Sequence, residues 1–170
     1  MTKSFYILVV LLLMACSVKQ QSLPNNNGGK DTLSVGSTYK LGGKLKGFSV
    51  SANDYTEEIS IIKNGKRLET IKYPDYNPMR DFFFEGIEQT PEGFDMIIQY
   101  GHSRFRIEKK LIFKYSSNKF YLTNSIETFT EIFDFETDSA YVTTTEVELE
   151  KPIPFNKVNL EEITEPDSKF

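Results

Sequence analysis

Residues 94–122, FDMIIQYGHSRFRIEKKLIFKYSSNKFYL, carry the pattern that decides the fold. Apolar residues recur at every second position in 94–100 and, with one interruption, again in 105–115. A period of two places such side chains on one face of a β-strand, as in a sheet that has one face on a core and the other in solvent. The stretch therefore predicts consecutive antiparallel strands with one buried face.

The turn between these two strands sets their expected register. A two-residue loop at Gly101-His102 opposes Ile98 to Phe105 and Met96 to Ile107, which keeps both apolar sets on one face. Glycine in the first position is also what a type II′ turn requires. A three-residue loop would instead oppose apolar to charged residues, so the shorter loop is the prediction.

Two further turns follow the same logic. Asn64-Gly65 is the favoured centre of a type I′ hairpin because both residues tolerate positive φ, and Ser117-Asn118 occupies the turn after the second strand. Each hairpin would present one apolar face. The expected cross-strand pairs are Ile61–Leu68, Ile59–Thr70 and Glu57–Lys72 at the first turn, and Tyr115–Phe120 and Phe113–Leu122 at the second.

The rest of the chain extends this pattern into a domain. Residues 82–130 predict a four-stranded meander, residues 140–150 alternate again, and residues 129–138 fit either a continuing strand or a turn. No segment of ten or more residues shows helical periodicity, and Phe, Tyr, Ile, Val and Thr are frequent. We therefore expect an all-β domain over residues 33–155, an antiparallel meander that forms a small sandwich or barrel.

The first sixteen residues resemble a bacterial lipoprotein signal. Lys3 precedes an apolar run over residues 5–15, which at eleven residues is too short for a transmembrane helix. The run ends in Leu13-Met14-Ala15-Cys16, which is similar to the lipobox. The resemblance implies a signal peptide at 1–15 and lipidation of Cys16, whose two or three acyl chains would hold the protein on a membrane. Ordinary secretion is the alternative.

The residues around the domain indicate its surroundings. Ser17 follows the cysteine, as in lipoproteins sent to the outer membrane, so the resemblance implies a periplasm-facing protein there, with surface exposure as the alternative. Residues 16–32 are polar and rich in Asn and Gly, which predicts a lipidated flexible tether. Residues 156–170 are acidic and predict a loose C-terminal tail.

Composition restricts the possible chemistry. With Cys16 used for attachment, no internal disulfide can form, and nucleophilic catalysis would depend on His102, which is the chain's one histidine. Zinc would have too few ligands. Removing Lys3 from the 20 basic residues leaves 19 against 24 acidic ones, a net charge of −5 that argues against a nucleic-acid partner. We predict no enzymatic activity, no cofactor and no metal site.

Carboxylates provide the remaining route to catalysis. Asp134, Glu136 and Asp138 resemble the start of an EF-hand loop, but Ser139 and Thr145 stand where that loop needs glycine and a bidentate glutamate. A solvated acidic edge is therefore the favoured interpretation. A small hydrolase with two carboxylates close in space is kept as an alternative.

Basic residues after Gly101 form the candidate binding face. Strand alternation turns Arg104, Arg106 and Lys110 away from the apolar face, opposite in sign to the whole chain. Arginine and tyrosine are common anchors of protein interfaces. The candidate partner-binding residues are Tyr100, His102, Arg104, Arg106 and Lys110. An ordinary charged surface is the alternative interpretation.

Two runs resemble small β-rich envelope lipoproteins of the inhibitor or immunity type. These runs are Ile59-Ser60-Ile61-Ile62 with Leu68-Glu69-Thr70-Ile71, and Tyr100-Gly101-His102-Ser103-Arg104 with Phe113-Lys114-Tyr115 and Phe120-Tyr121-Leu122. The resemblance implies a non-enzymatic protein-binding module, an immunity or inhibitor protein against a periplasmic toxin or hydrolase. A structural or assembly subunit of an outer-membrane complex is the first alternative, and the carboxylate hydrolase is the second.

Overall fold

A computed structural model describes residues 36–75, 81–102, 105–134 and 139–164, without the side chains of residues 102, 132–134 and 139. Cys16, the predicted signal peptide and tether, and Arg104 lie outside these ranges. The strands are β1 (Gly36–Lys40), β2 (Phe48–Asn53), β3 (Glu58–Lys63), β4 (Lys66–Lys72), β5 (Asp81–Gln89), β6 (Gly93–His102), β7 (Phe105–Ser116), β8 (Lys119–Asp134) and β9 (Ser139–Pro154), followed by helix α1 (Leu160–Thr164). Short 3₁₀ turns lie at Gly43–Leu45 and Phe155–Lys157.

The strands form two antiparallel sheets in simple chain order. The first sheet has the order β1-β2-β3-β4 and the second has the order β5-β6-β7-β8-β9. The all-β, antiparallel prediction is confirmed. Both sheets are open and end in edge strands, so the structure is the sandwich and not the barrel.

The two sheets share one apolar core. Phe94 and Phe113 stack at 5.0 Å on the second sheet, and Phe48 from the first sheet meets Phe120 edge-on at 5.4 Å. Phe155, from the 3₁₀ turn after β9, packs against Phe113 with ring centroids 5.4 Å apart. Burying a phenylalanine contributes about 1.5–3 kcal/mol, so this aromatic cluster is a main source of stability.

The hairpin at Asn64-Gly65 has the predicted two-residue loop but a shifted register. Both residues have positive φ, of 49° and 79°. A bulge after this turn moves each expected pair by one residue, so Ile59 opposes Ile71 and not Thr70. The bulge brings Ile71 to the buried face and leaves Leu68 46% exposed, which explains why the strict alternation was wrong here.

The predicted turn at Gly101-His102 is wrong. His102 pairs with Phe105, so the strands continue past Gly101, and Ile98 opposes Lys109 and not Phe105. The register differs by an even number of residues, so the same side chains still face the core. Gly101 serves close strand contact, because a Cβ at its φ of 130° would overlap the carbonyl oxygen of Phe105.

The next turn is confirmed. Ser117 and Asn118 have positive φ, of 49° and 65°, and Tyr115 pairs with Phe120. The pair of Phe113 with Leu122 is also as expected. The meander of four strands is present as β5 to β8, and β8 continues through the ambiguous stretch as far as Asp134.

The part of the predicted tail that the structure describes is packed against the core. Val158, Leu160 and Ile163 are 8%, 1% and 2% exposed. The expectation of a loose end is wrong for residues 156–164, because apolar side chains alternate with the acidic ones there. The domain therefore extends beyond the predicted boundary at residue 155.

Helix α1 has five residues. Across the described ranges, we find no helix with the length and apolar character needed to span a bilayer.

Candidate functional site

Among the described residues, the inner face of the five-stranded sheet is less buried near residues 103–104 than around Phe94 and Phe113. Strands β8 and β9 have 16 residues each, whereas those of the first sheet have five to seven. We use the name open end for the inner-face residues on the side of the sheet near residues 103–104. These residues are Phe105, Ile107, Phe129, Glu131, Tyr141 and Thr143.

Aromatic side chains are concentrated at the open end. Phe105 and Phe129 stack across β7 and β8, with ring centroids 6.0 Å apart and planes tilted by 28°. Both are half-buried, and Tyr141 on β9 is 58% exposed. Phe129 opposes Thr143 and Glu131 opposes Tyr141, which places all of them on one face. The result is a partly exposed aromatic cluster on one face of the sheet.

An ion pair with a buried lysine separates the open end from the core. Lys109 is 0% exposed, and its Nζ lies 2.9 Å from Oε2 of Glu127. The same ammonium donates to the carbonyl oxygen of Ile163 at 3.1 Å, and the hydroxyl of Tyr100 donates to Glu127 at 3.3 Å. Removing Lys109 would leave the carbonyl of Ile163 and Glu127, whose side chain is 33% exposed, without this cation. The network therefore ties α1 to the sheet and holds the base of the open end in place.

Lys109 was missed as a site residue in the sequence. It occupies the interruption in the apolar alternation of 105–115, so its position already indicated an inward-facing lysine. Glu127 carried no such signal, because its partner depends on the register of β7 and β8. Only the structure brings Lys109, Glu127 and Tyr100 together.

The predicted binding residues do not form one face. Tyr100 is 5% exposed on the core side, which corrects its assignment to a partner-binding surface. Arg106 and Lys110 lie on the outer face of β7, as expected from alternation. The backbone of His102 pairs with Phe105, whereas its side chain and Arg104 lie outside the described residues. Tyr100 is buried because it alternates in step with the core residues of β6.

The cations of the outer face have intramolecular partners. Arg106 donates to Oε1 of Gln99, and Lys110 lies 2.7 Å from Oε2 of Glu88. The hydrogen bond to Glu88 raises the pKa of Lys110. Burial raises the pKa of the nearby Asp95 carboxyl, an effect that Lys110 reduces. This outer face is therefore balanced in charge and is not a basic patch.

The described carboxylates do not gather into a metal site. Within those ranges, no group of three or more His, Cys, Asp or Glu side chains is placed to hold a metal ion. Burial raises the pKa of Glu69 and of Asp95, which lie on different sheets in β4 and β6. Of the EF-hand-like carboxylates, Glu136 and Asp138 lie outside the described residues.

No family model, curated protein or solved structure matches this chain.

Proposed function

We propose that this protein is a lipid-anchored envelope protein whose β-sandwich binds another protein at the open end, without catalysing a reaction. The observation that carries the proposal is the exposed ring of Tyr141, which lies on the same face of the sheet as the half-buried stack of Phe105 and Phe129. Exposed apolar area on one rigid face is characteristic of interaction sites. Tyrosine and phenylalanine are enriched in protein interfaces because they bury a large area at a small cost in conformational entropy.

The construction of the open end supports binding. The Lys109–Glu127 pair and the long β8–β9 ladder hold the aromatic side chains on regular strands. A surface that is already ordered loses less conformational freedom when it binds. The partner class that fits the sequence resemblance is an exported toxin or hydrolase in the periplasm.

The anchor supports the same function. A lipid on Cys16 and a flexible tether at 16–32 would let the domain move roughly 20 Å from the membrane. Attachment to the periplasmic side of the outer membrane would keep the open end where exported proteins pass.

Site-specific photocrosslinking tests the binding surface. A benzoyl-phenylalanine replaces Tyr141 in the full chain, in cells that make the protein, and a second variant carries it at Tyr55 as the matched control. Tyr55 is 88% exposed in the turn between β2 and β3, far along the chain from the open end. We expect a discrete protein adduct from position 141 alone. Equal adducts from both positions, or none from position 141, would overturn the proposal.

The anchor has its own test. We expect Cys16→Ser to abolish incorporation of labelled palmitate and to release the protein from the membrane fraction. Label retained by the serine variant would show that the cysteine is not the attachment site.

A further inference from the structure

The five-stranded sheet has two edge strands, and β5 is the protected one. Its ladder is interrupted by a bulge between Phe84 and Gly86. Near its end, the side chain of Gln89 accepts from the backbone N–H of Gly42 at 2.8 Å and donates to the Gly42 carbonyl at 3.2 Å. The ring of Tyr39 also packs on Phe84, with centroids 5.9 Å apart. Bulges and covering segments of this kind keep an edge from pairing with other chains.

Strand β9 has none of these features over residues 140–146. All seven residues are exposed, and the register with β8 runs without a shift from Ala140 to Glu148. Within the part of the chain that the structure describes, β9 pairs with β8 alone. The sequence AYVTTTE is rich in β-branched residues, which favour strand formation. Residues 140–146 therefore present a regular, exposed edge.

The two faces of β9 differ in chemistry. Tyr141 and Thr143 lie on the inner face beside the open end. Glu146 and Glu148 lie on the outer face and are exposed, and they oppose the uncharged residues Ile126 and Asn124 of β8. A strand added beside β9 would place its outer side chains next to Glu146 and Glu148 towards one end and its inner side chains next to Tyr141 towards the other.

We propose that β9 binds an extended segment of the partner protein by strand addition, and that this segment alternates basic with apolar residues. The inference rests on the proposed function, since it assigns the binding mode of the same end of the sheet. Main-chain hydrogen bonds provide the affinity in this mode, and alternate side chains provide the specificity. Basic residues would face Glu146 and Glu148, and apolar residues would extend the aromatic surface at Tyr141.

A second copy of this chain fits the edge less well. A parallel copy would place Glu146 and Glu148 beside their own equivalents, and like charges across strands are destabilising. An antiparallel copy avoids this only by overlapping within the uncharged residues 140–145, which leaves Glu146 and Glu148 without a cation from the added strand. The acidic half of the edge therefore favours a basic partner over self-association.

Peptide binding to the purified full chain without its lipid tests the inference. The probe is a fluorescent peptide that alternates lysine with valine and tyrosine, and its controls replace lysine by glutamate or carry N-methyl groups at every second residue. We expect the lysine peptide to bind at least about tenfold more tightly than either control, because the controls lose charge pairing or main-chain hydrogen bonds. We also expect the lysine peptide to slow amide hydrogen exchange in β9.

A charge reversal locates the site. Glu146→Lys with Glu148→Lys should reverse the preference in favour of the glutamate peptide. The matched control, Asp81→Lys with Glu85→Lys, changes two exposed acids on the other edge strand and should leave the preference unchanged. Equal binding of all peptides, or the same response from both pairs of substitutions, would overturn strand addition at β9.

The remaining outcomes also decide between occupants. A dimer in light scattering that Val142→Lys dissociates would identify a second copy at the edge and overturn the inference. Peptide binding that appears only when the chain is shortened to end at Thr164 would identify the chain's own C-terminus as the occupant. This outcome would also overturn the inference. An adduct at Tyr141 that the lysine peptide does not compete away would leave the proposed function standing without strand addition. Peptide binding with no adduct at Tyr141 would support strand addition at β9 and overturn the proposed function.

Discussion

The two ends of the five-stranded sheet carry the same kind of aromatic pair in different surroundings. Phe94 and Phe113 stack at 5.0 Å and are 0% exposed, beneath the first sheet and Phe155. Phe105 and Phe129 stack at 6.0 Å and are half-buried. Both pairs come from the same alternation of β6 to β8. The element that packs against an aromatic pair therefore determines whether the pair is buried. The residue types of the pair do not determine this.

The largest expected difference between the ends is in stability. Phe94→Ala should lower the free energy of unfolding by about 3–5 kcal/mol, because it removes a fully buried ring and leaves a cavity. Phe129→Ala should cost about 1–2 kcal/mol, since its ring is already partly in solvent. Urea unfolding of both variants measures the difference. Equal losses would mean that the open end is covered as fully as the core.

The ion pair between the two ends gives the next largest effect. Lys109→Met should cost about 2 kcal/mol, because the carbonyl of Ile163 and Glu127 lose their cation, while solvent screens part of the charge of the 33% exposed Glu127. Adding Glu127→Leu should restore part of the loss, since the charge left unpaired is then gone. The matched control is Lys110→Met, which breaks a more exposed pair with Glu88 and should cost less than about 1 kcal/mol. Urea unfolding again provides the measurement, and a double variant less stable than Lys109→Met would contradict this account.

Two glycines on β6, one near each end of the sheet, allow the two ends to be compared at the level of the backbone. A Cβ at Gly93 would overlap the carbonyl oxygen of Phe113, and one at Gly101 would overlap that of Phe105. Gly93→Ala should lower global stability by about 2 kcal/mol, because the strands there are fixed by the core. Gly101→Ala should cost less globally, since β6 and β7 can separate locally at the open end.

Native-state hydrogen exchange distinguishes these responses. We expect Gly101→Ala to speed exchange only near residues 100–107, whereas Gly93→Ala should speed it throughout the sheet. Faster exchange of the whole sheet in Gly101→Ala would show that the open end is as strongly coupled to the core as the end of the sheet around Phe94 and Phe113.

The comparison also explains what sequence patterns predicted. Alternation identified the inward side chains of β6 and β7 and the pair of Tyr115 with Phe120, because face depends only on whether a position is odd or even. It failed at Gly101-His102, because a shift by an even number of residues preserves every face. It failed again at Leu68, because a bulge there places Ile71, and not Thr70, opposite Ile59.

The candidate site was harder to predict for a related reason. Tyr100 was grouped with the basic residues by its nearness in sequence, although its own alternation with Phe94 and Ile98 turned it to the core. The accessible inner face could not be read from periodicity, since Phe105 and Phe113 alternate alike. Phe113 is 0% exposed because Phe94 and Phe155 pack on it, and these contacts follow from the tertiary structure.

The smallest effect concerns Asp95, which has a raised pKa. It lies on the outer face at the end of the sheet around Phe94 and Phe113. Its Oδ1 is buried with no hydrogen-bond partner among the described residues, and burial raises the pKa with a smaller contribution from Glu88. A carboxyl with a raised pKa binds its proton more tightly in the folded state, so stability falls as pH rises from the unfolded pKa near 3.8 through the folded value.

Asp95→Asn removes this cost and should gain stability relative to the parent at pH 7, by less than about 1 kcal/mol because solvent screens the site. The gain should vanish as the pH falls below the unfolded pKa of about 3.8. Urea unfolding of both proteins at several pH values measures it, with a carbon-13 titration of the Asp95 carboxyl as the direct check; a gain that grows on acidification would show that Asp95 is stabilised as a carboxylate.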